Sequence, residues 1–273
     1  MENLAAKAAE RVAARQEGGL GRTLHDIWVV TQRNLLLDAR SPAVIVGATA
    51  FPVSLMVIFT ASFARVVLPE GSYAEYAQFL VPLSVVQGLL FSTVSVGTAL
   101  YYDLKSGMDT RLRAMPIARS AALAARILGG AGRLLAQVII IVLIGHLLGF
   151  RFQTGGLGAI AFLLLAVIFT SSFAWIAVFI AVRAGSAESI QVSMTPWLLP
   201  MTFLSVGYVP KEGFPDWLQG FVAINPVSSA AQALRGLASG GEVVSHALAT
   251  LLWSGAITAV FSSLAIRAYQ RRG

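Results

Sequence analysis

Charged residues punctuate this chain, and between them lie six long stretches that contain none: 41–64, 76–102, 134–150, 152–182, 189–210 and 243–266. A helix that crosses a bilayer needs about 20 mostly apolar residues at 1.5 Å of rise each. Five stretches meet that length directly. The third has 17 uncharged residues and reaches it only by extending backward through 127–133, with Arg126 and Arg133 at the membrane surface and their side chains snorkelling to water. The pattern predicts an all-α polytopic membrane protein with six transmembrane helices, spanning about 42–64, 77–102, 123–150, 157–182, 189–210 and 244–266.

The segments between the spans add detail. Residues 1–19 are Ala-rich and charged, carry no apolar core of a cleavable signal peptide, and read as a mobile tail ending at Gly18 and Gly19. From 20 to 41 apolar residues recur at Leu20, Leu24, Ile27, Trp28 and Leu35 while Arg22, Asp26, Arg33 and Asp38 fall off that stripe, which predicts an amphipathic interface helix. A plain cytosolic extension of the first span is the alternative. In the loop 103–119, Leu112 and Met115 share one face of a short helix that Pro116 limits. Such a helix suits docking into a partner's groove, or serves as a basic anchor resting on headgroups; both readings stand. After the fifth span, the uncharged run 217–234 is split by Asn225 and Pro226. That break predicts two short helices that enter the outer leaflet and return, with a loose outer loop as the alternative.

Composition supports the membrane reading. Charged residues make up 12% of the chain, whereas a soluble domain carries about 25%. The excess of 20 Lys and Arg over 13 Asp and Glu raises the question of nucleic acid, but the distribution answers it. Sixteen of the basic residues fall on the side of the two termini and four on the other. This bias predicts both termini in the cytoplasm, so the basic charge is a topology signal and no nucleic-acid partner is expected. Cysteine is absent, which removes disulfides and thiolate chemistry.

Several chemistries are missing. There is no phosphate-binding G-x-x-x-x-G-K-[ST] loop. No span holds an interior carboxylate of the kind ion-driven carriers use. His25, His146 and His246 have no metal-ligand spacing, and His146 reads as a packed residue rather than a proton relay. Gln87 and Gln137 are mid-span candidates for hydrogen bonds between helices or for cavity lining. Pro52, Pro82, Pro196 and Pro200 kink their helices. In the fifth span the two prolines stand with Ser193, Thr195, Thr202 and Ser205, a mildly polar strip that with Gln87 is the candidate substrate path.

Four segments carry a family resemblance: 38–42 leading into Phe51 and Pro52; 107–119, which matches G-x-x-x-R-L-x-x-x-P-I-x-R; the span ending 145–152, G-H-L-L-G-F-R-F; and 203–210, 215–217, 225–228 and 233–236 after the fifth span. Together the chain resembles the ABC-2-type permeases, in their daunorubicin-resistance-like exporter branch. Two departures are Val206 before Gly207, where the family commonly has Ser, and the tail before Gly18.

The resemblance implies the membrane subunit of an exporter of amphipathic drugs or lipids in a bacterial inner membrane. The chain itself would be no enzyme and would bind no cofactor; ATP and magnesium would sit on separate P-loop ATPase chains. Met108, Arg111, Leu112, Arg113, Met115 and Pro116 would form the ATPase-coupling helix, with Trp28 and Arg33 on the interface helix. A second permease, identical or homologous, would complete the path among membrane lipids, and Trp217, Asn225 and Pro226 would shape an outer gate. Two alternatives differ in class. A secondary carrier or channel is disfavoured by the lack of intramembrane carboxylates, and an intramembrane lipid-modifying enzyme by the lack of a clustered catalytic set.

Overall fold

The computed structural model describes residues 42–106 and 119–271, with side chains described at 45–106 and 130–271. Among the described residues every regular element is helical. In chain order these are α1 (Pro42–Val67), α2 (Tyr73–Lys105), α3 (Arg119–Leu147), α4 (Gly155–Arg183), α5 (Ala187–Phe203), a single 3-10 turn (Lys211–Gly213), α6 (Asp216–Ile224), α7 (Pro226–Ser239) and α8 (Val244–Gln270).

Five of these, α1, α2, α3, α4 and α8, are long and apolar enough to cross a membrane. α2 is the axis of the bundle: α1, α3, α4, α5 and α7 all pack against it, and α8 covers the far side of α4. Its start is fixed by a capping box, in which the Glu75 N–H donates to Ser72 Oγ (3.2 Å) and the Ser72 N–H donates to Glu75 Oε2 (3.3 Å). By contrast α1 and α8 turn large apolar side chains outward, among them Phe51, Ile58 and Val66 on α1 and Leu248, Leu252 and Val260 on α8. Such faces would be an aggregation hazard in water and are the ordinary surface of a helix in hydrocarbon.

The third and fifth helices depart from expectation. α3 runs 29 residues, so its length is ample. Arg133, expected to snorkel, is instead 9% exposed, enclosed by the bundle. α5 is only 17 residues and stops at Phe203, short of the expected 210. Pro196 and Pro200 remove two donors from its ladder. The chain then turns so tightly against α2 that a Cβ on Gly207 would lie 2.5 Å from Leu83. The end of α3 follows from Gly149, whose φ of +107° closes a Schellman turn: Phe150 N–H donates to Gly145 O (2.9 Å) and Gly149 N–H to His146 O (3.2 Å).

Candidate functional site

Among the described residues, three knots of polar side chains tie separate helices of the bundle together. The first joins α1, α2 and α3. Pro52 has no N–H, so the Ala48 carbonyl one turn earlier loses its helical donor. Gln137 Nε2 supplies one, lying 3.3 Å from Ala48 O and 3.0 Å from Gly88 O. Its Oε1 accepts from Ser92 Oγ at 2.5 Å, so the amide is fully used. Gly88 makes the contact possible, since a Cβ there would stand 2.9 Å from both Pro52 and Ile141.

The second knot joins the ends of α5 and α7. Asn225, 2% exposed, acts on two helices at once. Its Nδ2 donates to Met201 O and Leu204 O, both at 2.7 Å, which are carbonyls left open where α5 stops. Its Oδ1 accepts from Val227 N–H at 2.9 Å and so caps α7, with Pro226 at the favoured first position. Ser228 Oγ then accepts from Val206 N–H at 3.1 Å. Arg235 donates through Nη2 to Phe79 O (3.0 Å) and Val206 O (3.3 Å), and its guanidinium lies 3.6 Å from the centroid of the Phe79 ring. The result ties the 204–208 segment to α2 and α7.

The third knot is incomplete. Tyr208 Oη donates to Gln87 Oε1 at 2.8 Å, while its ring packs between Phe59 (4.7 Å) and Phe203 (5.2 Å). Gln87 is 1% exposed, yet its Nε2 has no hydrogen-bond partner. Gln87 stands about 21 Å along α2 from its first residue, given 1.5 Å per residue, so an amide with an unused donor sits deep in the bundle.

The remaining sequence candidates separate. Thr202 and Ser205 are buried and donate their hydroxyls to their own helix end. Ser193 is exposed and bonds Ser189 O at 2.7 Å, whereas half-buried Thr195 lies on the opposite side of α5. Trp217 is 80% exposed on α6. His146 bonds Val142 O at 2.9 Å and packs on Phe150, consistent with its reading as a packed residue. Trp28, Arg33, Met108, Arg111, Leu112, Arg113, Met115 and Pro116 lie outside the described residues. Sequence reasoning missed Asn225 as a double cap and Arg235 as a clamp. The signal available for Arg235 was a lone charge amid small apolar residues.

A bundle of long apolar helices, with buried non-helical backbone shielded by polar clamps and no metal-ligand cluster among the described residues, defines a polytopic α-helical membrane protein. Residues 25–238 match the model of the ABC-2 type transporter family. The chain is 31% identical to the daunorubicin resistance ABC transporter permease protein DrrB1 of Streptomyces coeruleorubidus, over 97% of this chain and 91% of the relative. It is also 31% identical to the probable doxorubicin resistance ABC transporter permease protein DrrC of Mycobacterium tuberculosis, over 84% of this chain and 83% of the relative. A doxorubicin resistance permease DrrB of the same organism is 24% identical over 62% of this chain. The chain belongs to the ABC-2 type transporter family and is a permease subunit of an ABC exporter.

Proposed function

We propose that this chain is one half of the membrane path of an ATP-driven exporter that moves amphipathic drugs out across a bacterial inner membrane. The observation that carries this reading is the near full-length similarity to permeases named for daunorubicin and doxorubicin resistance. In this proposal α5 is the fifth of six spans. Its 17 residues rise about 25 Å at 1.5 Å each, and the 204–208 segment then turns back along α2, past Phe79, Leu83 and Gln87. Both termini are cytoplasmic, as the basic bias argues. α6 and α7 are the re-entrant pair. α7 is buried along most of its length and α6 carries exposed Trp217, Phe221 and Ile224, a division that suits one helix inside the bundle and one at the interface.

ATP and magnesium belong to partner ATPase chains, and a second permease closes the path. The coupling loop drives Leu112 and Met115 into the ATPase, supported on the interface helix with Trp28 and Arg33. Gln87, with its unused donor, and Thr195 line the cargo route, whereas the buried hydroxyls of Thr202 and Ser205 argue for packing at those positions. Asn225 and Pro226 form the hinge of the outer gate. The test is Leu112→Asp in the co-expressed complex. Drug-stimulated ATP hydrolysis should be lost while the permease still inserts and is recovered at normal levels. If ATPase association and transport both survive, the docking assignment is wrong.

A further inference from the structure

A groove of about 410 Å³ runs between α4, α5 and α8 on the flank of the bundle. Its walls are apolar, with Phe173, Phe179, Met194, Leu198 and Phe261 among them, and Trp197 stands at its rim 73% exposed. That volume falls in the roughly 300–1,000 Å³ range of small-ligand sites. Phe173 to Ile180 on α4 and Ser193 to Met201 on α5 each cover about 10–12 Å at 1.5 Å per residue, so the groove is elongated along the helices. Its α4 wall lies in one leaflet, while its α5 wall, from Ser193 to Met201, reaches about 9–21 Å from the start of that helix and so passes the midplane. Ile180 is three residues from the last residue of α4 and Phe173 ten, about 5–15 Å by the same rise, against a half-bilayer of about 15 Å.

What occupies such a groove is decided by its mouth. Arg183 ends α4, one turn beyond Phe179, and its guanidinium sits 5.7 Å from the centroid of the Phe179 ring. Phe179 in turn packs edge-on against Phe261 at 6.0 Å, so the cation is placed directly over the groove wall. Arg183 is exposed and makes no ion pair among the described residues. An apolar slot that runs from the headgroup level to just past the midplane, with an unneutralised guanidinium at its headgroup end, has the polarity of a phospholipid, tail inward and phosphate outward. A drug cation would meet like charge at that mouth, whereas an anionic headgroup would neutralise it.

We propose that the α4–α5–α8 groove holds an acyl chain of a resident anionic phospholipid whose phosphate rests on Arg183. The lipid braces α5, which has few contacts with α4 compared with those α8 makes, on the side away from α2. The inference needs the chain to lie in a bilayer and does not depend on which cargo is exported. Ser193, on this face, then meets lipid rather than cargo.

The test uses the full-length chain with Trp28, Trp175, Trp217 and Trp253 changed to Phe, leaving Trp197 as the sole indole. It is reconstituted in phosphatidylcholine vesicles containing phosphatidylglycerol with brominated acyl chains, and quenching of Trp197 is measured. Expected is about a fivefold preference for phosphatidylglycerol over brominated phosphatidylcholine, equivalent to the roughly 1 kcal/mol that one basic residue contributes near a membrane surface. Arg183→Gln should remove it. Equal quenching by the two lipids, or a preference that survives Arg183→Gln, overturns the proposal. Trp197 shielded from both lipids would show that a second protein covers the groove, and loss of the preference on adding daunorubicin would make it a cargo site; either also overturns it. Should the four-Phe chain fail to fold, the wild-type chain is purified and its retained lipid counted by mass spectrometry. Retention of phosphatidylglycerol that Ser193→Phe does not reduce is the contrary result.

Discussion

Gln137 and Pro52 are coupled across two helices: the Gln137 amide, 3.3 Å from Ala48 O, supplies the donor that Pro52 withholds from its own helix. In hydrocarbon a bare carbonyl has no water to turn to, so a proline in a span must be matched from elsewhere. Gln137→Leu should therefore lower the thermal unfolding midpoint of the detergent-solubilised chain, with a loss of about 1–2 kcal/mol. Pro52→Ala restores the missing N–H and should recover part of that loss in the double variant. Additive effects would show that the two residues are not coupled.

Asn225 is the second relationship with a sharp consequence. Asn225→Ala removes the cap of α7 and both bonds to the end of α5, and should cost about 2–3 kcal/mol. Asn225→Asp keeps the cap acceptor but sets a carboxyl oxygen against the Met201 and Leu204 carbonyls in a buried site, so it should cost at least as much as Asn225→Ala. Protease cleavage within 204–226 reads this directly, and Asn225→Asp behaving as wild type would remove the bridging role.

The approach of Gly207 to Leu83 leaves no room for a methyl group. Gly207→Ala should destabilise the chain by about 1–3 kcal/mol, through displacement of the Tyr208 segment. Leu83→Ala opens space at that contact, so the pair should be less damaging than the sum of the single changes, as measured by unfolding midpoints.

Gln87 offers the opposite case. Its Nε2 is buried without a partner, so Gln87→Met gives up one bond from Tyr208 and relieves an unmet donor. Stability should change by less than about 1 kcal/mol. A drop in drug efflux at unchanged protein level would tie the amide to the cargo route, and unchanged efflux would remove it.

Topology can be read with single cysteines, because the chain has none of its own. Gly185→Cys, with nothing within 4 Å of the new Cβ, and Gly213→Cys, in ordinary contact with Val209, stand on either side of α5, both exposed. A membrane-impermeant maleimide applied to intact cells should label position 213 and reach 185 only after permeabilisation. Labelling of both from the same side would mean that α5 does not cross.

A bundle of apolar helices is legible in the residues alone, because the length of an uncharged run and the cost of burying charge in lipid are local properties. The same residues also carry the family's motifs, which suffice for the class of protein. What the polar residues do depends on the packing of helices far apart in the chain. Gln87 and Gln137 look alike in sequence, yet one amide is fully bonded by residues 45 to 89 positions away and the other is left with an idle donor. Arg133 read as a surface residue and is enclosed, since burial depends on which helices surround it. The fifth helix read as running to 210, because hydropathy continues through 204–210 while the backbone has already turned to meet Asn225, Ser228 and Arg235. Hydrophobicity sets which segments leave water; hydrogen-bond partners are chosen by neighbours distant in the chain, and no local pattern encodes them.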